Sequence, residues 1–280
     1  MRGQVVVMTG GSSGIGQVAA EALAGQGARL VLIGRDRARA EQALERVRTA
    51  GPGANHTLHL ADLASIAQTR RVGAQIAAAE PRVDVLINNA GALFSHRRTS
   101  PDGLELTFAL NHMAYFVLTE ALRARLEATP GARVVNTSSV AHKSGRLDFD
   151  DLQSTHGYAG FRAYGTSKLC NILFTRELAR RLAGSGVTAN CLHPGFVATR
   201  FGDQSGGLTQ RLIPLAKLFA ISPQQGADTI VQLASSPEAA AMSGLYFYKR
   251  EPVTPSAAAQ DDGAARRLWA ASEAIAAAVA

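Results

Sequence analysis

Cysteine is scarce in this chain. There are two in 280 residues, Cys170 and Cys191, both in apolar segments and neither in a CxxC-type spacing. That excludes a disulfide framework and a cysteine metal site, and fits reduced thiols in a reducing compartment. No metal site is expected. Long apolar runs are missing as well. Nothing approaches the ~20 apolar residues of a membrane helix. The first apolar stretch, Val5 to Met8, is too short for a secretory leader. A soluble cytoplasmic protein with no membrane anchor is the expectation. Charge of one sign is never concentrated. The formal net charge is +7, but the 29 basic residues are spread along the chain. No dense Lys/Arg arm marks a nucleic-acid partner, although a basic surface suits an anionic ligand.

What is present is an ordinary globular balance, 46% hydrophobic and 18% charged. The length suits one large α/β domain over residues 1–280. Short apolar runs read as strands buried on both faces: Gln4–Thr9, Ala28–Ile33, His56–Leu60, Val83–Ile87, Arg133–Thr137, Val187–Leu192 and Gly244–Tyr248. Between them, apolar residues recur at helical spacing in Ile15–Gln26, Arg37–Ala50, Ala64–Ala79, Leu104–Ala128, Tyr164–Ala183 and Pro223–Ser235. This alternation predicts a doubly wound parallel sheet of about seven strands with helices on both faces. Substrate loops are expected at 141–160 and 196–222, and a C-terminal helix at 264–279.

The first strand runs into Thr9-Gly10-Gly11-Ser12-Ser13-Gly14-Ile15-Gly16. Residues without a Cβ let the backbone approach a pyrophosphate, and the next helix points free N–H groups at it. The second strand ends near Gly34, followed by Arg35 and Asp36. A guanidinium suits a ribose 2′-phosphate, so Arg35 points to NADP(H) over NAD(H). Asp36 is the alternative: a strand ending one or two residues later would bring its carboxylate to a 2′-hydroxyl.

Tyr164 and Lys168 lie at an i, i+4 spacing, on one face of a helix that Tyr164 is expected to open. With five tyrosines and four lysines in the chain, that spacing arises by chance only about 0.07 times. A nearby ammonium lowers the pKa of a phenol, which then exchanges a proton with a carbonyl or alcohol oxygen. The fifth strand ends in Ser138-Ser139, where a hydroxyl would meet a ligand at the carboxyl edge of the sheet.

Taken together, these residues resemble the short-chain dehydrogenase/reductase family over essentially the whole chain, with a Rossmann-type fold. Thr9–Gly16 matches its cofactor turn, with Gly10, Ser12, Ser13, Gly14, Ile15 and Gly16 as binding residues. Asp62 and Leu63 resemble the pair at the adenine. Asn88-Asn89-Ala90-Gly91 matches the stretch after the fourth strand, which puts Asn89, Ala90 and Gly91 beside the cofactor. Pro194, Gly195, Val197 and Thr199 resemble the segment at the nicotinamide end. The resemblance implies Asn111, Ser139, Tyr164 and Lys168 as the catalytic set. Asn111 would hold a water that relays protons to Lys168, and Lys168 would also hold the nicotinamide ribose. The family usually places its serine second, which favours Ser139 over Ser138.

The gap of 25 positions from Ser139 to Tyr164 resembles the retinol dehydrogenase and WW-domain oxidoreductase branch, as do Phe174–Leu178 and Leu268–Glu273. The implied function is NADP(H)-dependent interconversion of a carbonyl and an alcohol on a small molecule. A C=C reductase, an epimerase or a non-catalytic cofactor sensor keeps the same fold. Leu93, Phe94, His142, Phe161, Phe196 and Phe201 are the expected pocket lining, largely apolar, which points to a lipophilic substrate. His142 and His193 are read as loop-capping or packing residues. The family often pairs subunits through the tyrosine helix, so the resemblance implies a homodimer or homotetramer, unless the long loop and the C-terminal tail block that surface.

Overall fold

The computed structural model describes residues 1–195 and 222–279. One sheet runs through it in the order β3-β2-β1-β4-β5-β6-β7-β8. The strands are β1 (Val5–Thr9), β2 (Arg29–Gly34), β3 (Thr57–Leu60), β4 (Val85–Asn88), β5 (Arg133–Thr137), β6 (Thr188–Leu192), β7 (Tyr246–Tyr248) and β8 (Glu251–Pro252). All pair in parallel except β8, which returns antiparallel to β7.

The eighth strand exceeds the sequence expectation for a simple reason. It is two residues long, and its turn at Lys249 and Arg250 takes positive φ without the Asn-Gly signature of such hairpins. Strand order reverses between β1 and β4, so the connections leaving them run to opposite faces of the sheet and leave a crevice outside their carboxyl ends.

Alternation along the strands builds two cores. Val5, Val7, Val31, Ile33, Leu86 and Val134 face one layer, and Val6, Met8, Leu30, Leu32, Val85, Ile87 and Val135 face the other. The second layer is closed by α1 (Gly14–Gly25), α2 (Arg37–Ala50) and α7 (Pro223–Ser235). The first is closed by α3 (Ile66–Ala79), α4 (Leu106–Phe108), α5 (Ala114–Glu127), α6 (Gly160–Arg181) and α8 (Asp262–Ala278). Burial of each such aliphatic side chain contributes about 1.5–3 kcal/mol.

Two helices depart from expectation. The stretch read as one helix over Leu104–Ala128 is interrupted by a π-helical turn, Ala109–Met113, between α4 and α5. Such turns cluster at functional sites, and this one carries Asn111. The helix α6 begins at Gly160, a full turn before Tyr164. Its first turn has weak local helix signals and is set by docking instead: a Cβ on Gly160 would strike the backbone of Phe94 and Ser95.

The helix α8 lies along α5 and α6 through Trp269, which stacks on Phe174 at 5.7 Å and meets Phe116 edge-on at 5.0 Å. No described helix is long and apolar enough to cross a membrane. Trp269 is 1% exposed, and its removal leaves a cavity under α8. Trp269→Ala is expected to cost about 3–5 kcal/mol, read as a lowered denaturation midpoint in urea. A midpoint within error of the wild type would show that α8 does not bear on the core.

Candidate active site

The crevice begins at the glycine turn. Gly10 has φ +69°, and a Cβ there would lie 2.8 Å from the Ala90 Cα. A Cβ on Gly16 would strike the Gly10 carbonyl. Ser13 stands at the N-cap of α1 in extended conformation but makes no side-chain cap bond. The first amides of α1, at Gly14, Ile15 and Gly16, are thus left without a side-chain cap beside a shelf of bare backbone. That combination fits a diphosphate. The turn is pinned across the sheet by Thr9, whose hydroxyl accepts from the amides of Asn89 at 2.9 Å and Ala90 at 3.1 Å. The Asn89 amide group donates to the Gly10 carbonyl at 3.2 Å and accepts from the Thr137 hydroxyl at 3.1 Å. Its side chain therefore holds the crevice together, and its main-chain N–H is taken by Thr9.

At the end of β2, a Cβ on Gly34 would come within 2.9 Å of the Ala40 Cβ, so no carboxylate side chain fits there. Asp36 is the N-cap of α2 and accepts from the Arg39 amide at 3.0 Å. That bond and the Arg39 guanidinium hold its carboxyl below the usual range. Arg35, 62% exposed, has its guanidinium 4.0 Å from Asp62. Leu63 is buried beside it. Pro194 and Gly195 lie half-buried past β6. Val197 and Thr199, together with Phe196 and Phe201, fall outside the described residues.

Four side chains converge at the ends of β4, β5 and α6. Ser139 caps a 3-10 turn, Val140–Ser144, and its Oγ accepts from the Ala141 amide at 3.2 Å. It also hydrogen-bonds Tyr164, which favours the phenolate. Ser138, the other serine of the pair, is buried and donates to the Lys168 carbonyl at 2.7 Å, so it is a strut between β5 and α6. The Lys168 amine donates to the Thr137 carbonyl at 3.0 Å and sits 5.7 Å from the ring centres of both Tyr115 and Tyr164. Asn111 is fully buried; its Oδ1 accepts from the Ala92 amide, and its Nδ2 donates to the Ala92 carbonyl and the Ser167 hydroxyl, each at 2.9 Å. A Cβ on Gly91 would lie 3.1 Å from the Asn111 Oδ1 and 3.4 Å from the Lys168 Nζ. Only a glycine leaves that junction open.

The electrostatics correct one expectation. The ammonium of Lys168 is not among the groups that lower the Tyr164 phenol. Burial pushes Tyr164 up to about 12, with Ser139 opposing, and pulls the Lys168 amine down to about 7. Both groups lie in low dielectric, and desolvation disfavours the charged form of each. Tyr115 and Thr137 are the participants the sequence did not single out. Thr137 acts through its backbone carbonyl, which carries no residue signature, and Tyr115 reads as a core aromatic. Of the expected pocket lining, Phe161 is exposed, Phe94 and His142 are buried, and Leu93 is partly buried. Val140, 48% exposed beside Ser139, joins Phe161 as apolar surface at this end of the site.

This crevice, with tyrosine and lysine on one helix and a serine at a strand end, is that of a nicotinamide-dependent oxidoreductase. The short chain dehydrogenase family model matches residues 4–206, and the chain belongs to the short-chain dehydrogenase/reductase family. Human retinol dehydrogenase 13 is 42% identical over 277 residues, covering 96% of this chain and 83% of that protein. A Streptomyces sp. (strain C5) protein assigned by name to daunorubicin C-13 ketoreduction is 42% identical over 97% of this chain and 92% of its own length. Among solved structures, an uncharacterised protein from Mycobacterium paratuberculosis superposes with a TM-score of 0.79 at 32% identity, covering 99% of this chain and 94% of the other. An NADP complex of RhlG from Pseudomonas aeruginosa has a TM-score of 0.70 at 28% identity, covering 88% and 94%.

The buried lysine gives a pH test. Its amine titrates near 10.5 when free and near 7 in the fold. Between those values the unfolded chain binds more protons, so the penalty of burying this amine fades as pH rises. Wild type should therefore gain thermal stability relative to Lys168→Met between about pH 7 and pH 10 in cofactor-free protein. Parallel melts of the two proteins across that window check this; a gap independent of pH would refute it.

Proposed function

We propose that the protein is an NADP(H)-dependent reductase that interconverts a ketone or aldehyde with its alcohol on a lipophilic small molecule. Tyr164 is the general acid. The observation that carries this is the neutral phenol of Tyr164, buried and hydrogen-bonded to Ser139 at the carboxyl edge of the sheet. The phenol keeps its proton through the neutral range. Burial, which holds it at about 12, makes it a reluctant donor, and the Ser139 bond opposes that burial and eases transfer of the proton to a carbonyl oxygen. Ser139 polarises the same oxygen and steadies the phenolate left behind. Lys168, fixed by the Thr137 carbonyl, holds its amine between Tyr164 and the junction at Gly91, where the ribose of the cofactor would be gripped. Asn111 holds Ala92 against α6, and the free lone pair of its Oδ1, beside Gly91, is where a relay water to Lys168 would bind. The cofactor supplies the hydride when bound.

The residues suited to hold that cofactor are the backbone of Gly10 to Gly16, Arg35, Asp62, Leu63, the Asn89–Gly91 backbone and Pro194–Gly195. The NADP(H) preference is supported by Arg35, by the shut position at Gly34 and by the use of Asp36 as a cap. The names of the relatives, retinol dehydrogenase and daunorubicin ketoreductase, both refer to lipophilic molecules, as does the apolar surface at Val140 and Phe161. The helix α8 packs along α6, the tyrosine helix, so a homodimer or homotetramer would have to form around it or through another surface. A cytoplasmic location remains part of the same reading.

Two variants test it, with retinal, daunorubicin and simple aryl ketones as substrate panel. Tyr164→Phe is expected to lower kcat by about 100- to 10,000-fold while the Kd for NADPH stays unchanged. Tight NADPH binding by the wild type with no carbonyl reduced would favour a cofactor sensor instead. Arg35→Ala should weaken NADPH relative to NADH by about ten-fold or more, measured as the ratio of kcat/KM values. An unchanged ratio would remove Arg35 from cofactor selection.

A further inference from the structure

His142 plays no part in the chemistry set out above, yet it is 1% exposed and both of its ring nitrogens are engaged. It belongs to the 3-10 turn that Ser139 caps. Its Nδ1 lies 2.8 Å from the Ser139 carbonyl oxygen, and its Nε2 receives the main-chain N–H of Ser256 at 3.1 Å. A carbonyl only accepts and a peptide N–H only donates. The ring is therefore neutral, with the proton on Nδ1 and a bare Nε2. No other protonation state satisfies both partners. The main-chain amide of His142 donates to the same Ser139 carbonyl at 3.1 Å. Tyr246 on β7 stands edge-on to the ring at 5.1 Å, its hydroxyl 3.3 Å from Nδ1, and His193 stacks on the other side of the group against Tyr246 at 5.5 Å.

Three separate parts of the chain meet at this imidazole: the turn after β5, the strand β7 and the segment at Ser256. Ser139 itself is joined to none of the last two by any other contact described above. Its backbone is extended, φ −157° and ψ 154°, and its carbonyl carbon and Cβ both branch from Cα. Holding the carbonyl fixes the peptide plane and so the direction of the Cα–Cβ bond, and the Ala141 amide, which donates to Oγ at 3.2 Å, then sets the rotamer of the hydroxyl.

We propose that His142 is a positioning residue for Ser139, a neutral clasp that ties the serine carbonyl to Ser256 and so aims the serine hydroxyl at Tyr164. The proposal rests on the catalytic reading of Ser139 and Tyr164. Burial keeps the ring uncharged, and the nearby Lys143 cation opposes protonation further. His193, itself driven down to about 4 by burial, and Tyr246, driven up, add no charge at neutral pH.

The two nitrogens are separable by substitution. The Nδ2 of asparagine occupies the place of Nδ1–H, whereas the amide of glutamine reaches the place of Nε2. His142→Phe is expected to lower kcat about 10- to 100-fold on the best panel substrate, with the Kd for NADPH unchanged. His142→Asn should restore most of that loss and His142→Gln little, at matched melting temperatures. Rescue by glutamine equal to that by asparagine, or wild-type kcat in all three, would overturn the proposal. Nitrogen NMR of the ring supplies a readout free of activity. The expected result is the Nδ1–H tautomer in the wild type, with slow amide exchange at Ser256 that is lost in His142→Phe. An Nε2–H or cationic ring would overturn the clasp. The expected tautomer in a wild type that reduces no carbonyl would support the clasp and sink the reaction assigned to the site.

Discussion

The carbonyl oxygen of Thr137 is the point on which this site depends. The Lys168 amine donates to it at 3.0 Å, the Asn171 amide at 3.2 Å and the Tyr115 hydroxyl at 3.5 Å. All four residues are buried. An amine in that setting is costly unless it is hydrogen-bonded, and the strand end supplies the acceptor. The neighbouring serine reverses the exchange, with Ser138 donating to the Lys168 carbonyl. Strand β5 and helix α6 thus grip each other in both directions at the residues that matter for chemistry. The distance from a strand end to a helix turn is thereby converted into the distance from Ser139 to Tyr164.

The same strand end is wired to the cofactor side. The Thr137 hydroxyl donates to Asn89, Asn89 donates to the Gly10 carbonyl, and Thr9 receives the two amides after β4. One layer deeper, Asn88 donates to Asn136, and Asn136 to Thr175 on α6. Hydrogen-bonded polar groups add rigidity where an apolar core would tolerate sliding, although the Asn88 Oδ1 has no partner among the described residues. These bonds tie the glycine turn, the segment before Gly91 and the Tyr164 helix to one another. Placing a hydride donor and a proton donor on opposite sides of one carbonyl requires such a frame.

Much of this was legible in the sequence because it depends on periodicity and on residues with few other uses. Strands buried on both faces gave continuous apolar runs, and the Gly10–Gly16 turn and the Tyr164–Lys168 spacing announce themselves. The parts that were not legible have a common cause. The start of α6 at Gly160 and the π turn around Asn111 are imposed by docking onto other segments. The carbonyl of Thr137 is a backbone atom that every residue carries. Asp36 was open as a ribose ligand from its position alone, and the end of β2 at Gly34 and its role as the α2 cap appear only in the fold. For His142 the sequence left pocket lining, loop capping and packing open, and its burial fits the last two. The directions of its two hydrogen bonds appear only in three dimensions.

The least legible property was the balance of charge. A lysine four residues from a tyrosine invites the expectation that its cation drains the phenol of its proton. That holds where the pair is solvated enough for the amine to stay charged. Here the same burial acts on both groups in opposite directions, holding Tyr164 up at about 12 and bringing Lys168 down to about 7. A neutral phenol can only donate its proton, which suits the site to the reduction proposed above. Running it as an alcohol oxidation needs something to favour the phenolate, and Ser139 is the one neighbour among the described residues seen to do so. The orientation of that single hydroxyl then weighs on both directions of the reaction, since it polarises the carbonyl in one and stabilises the base in the other.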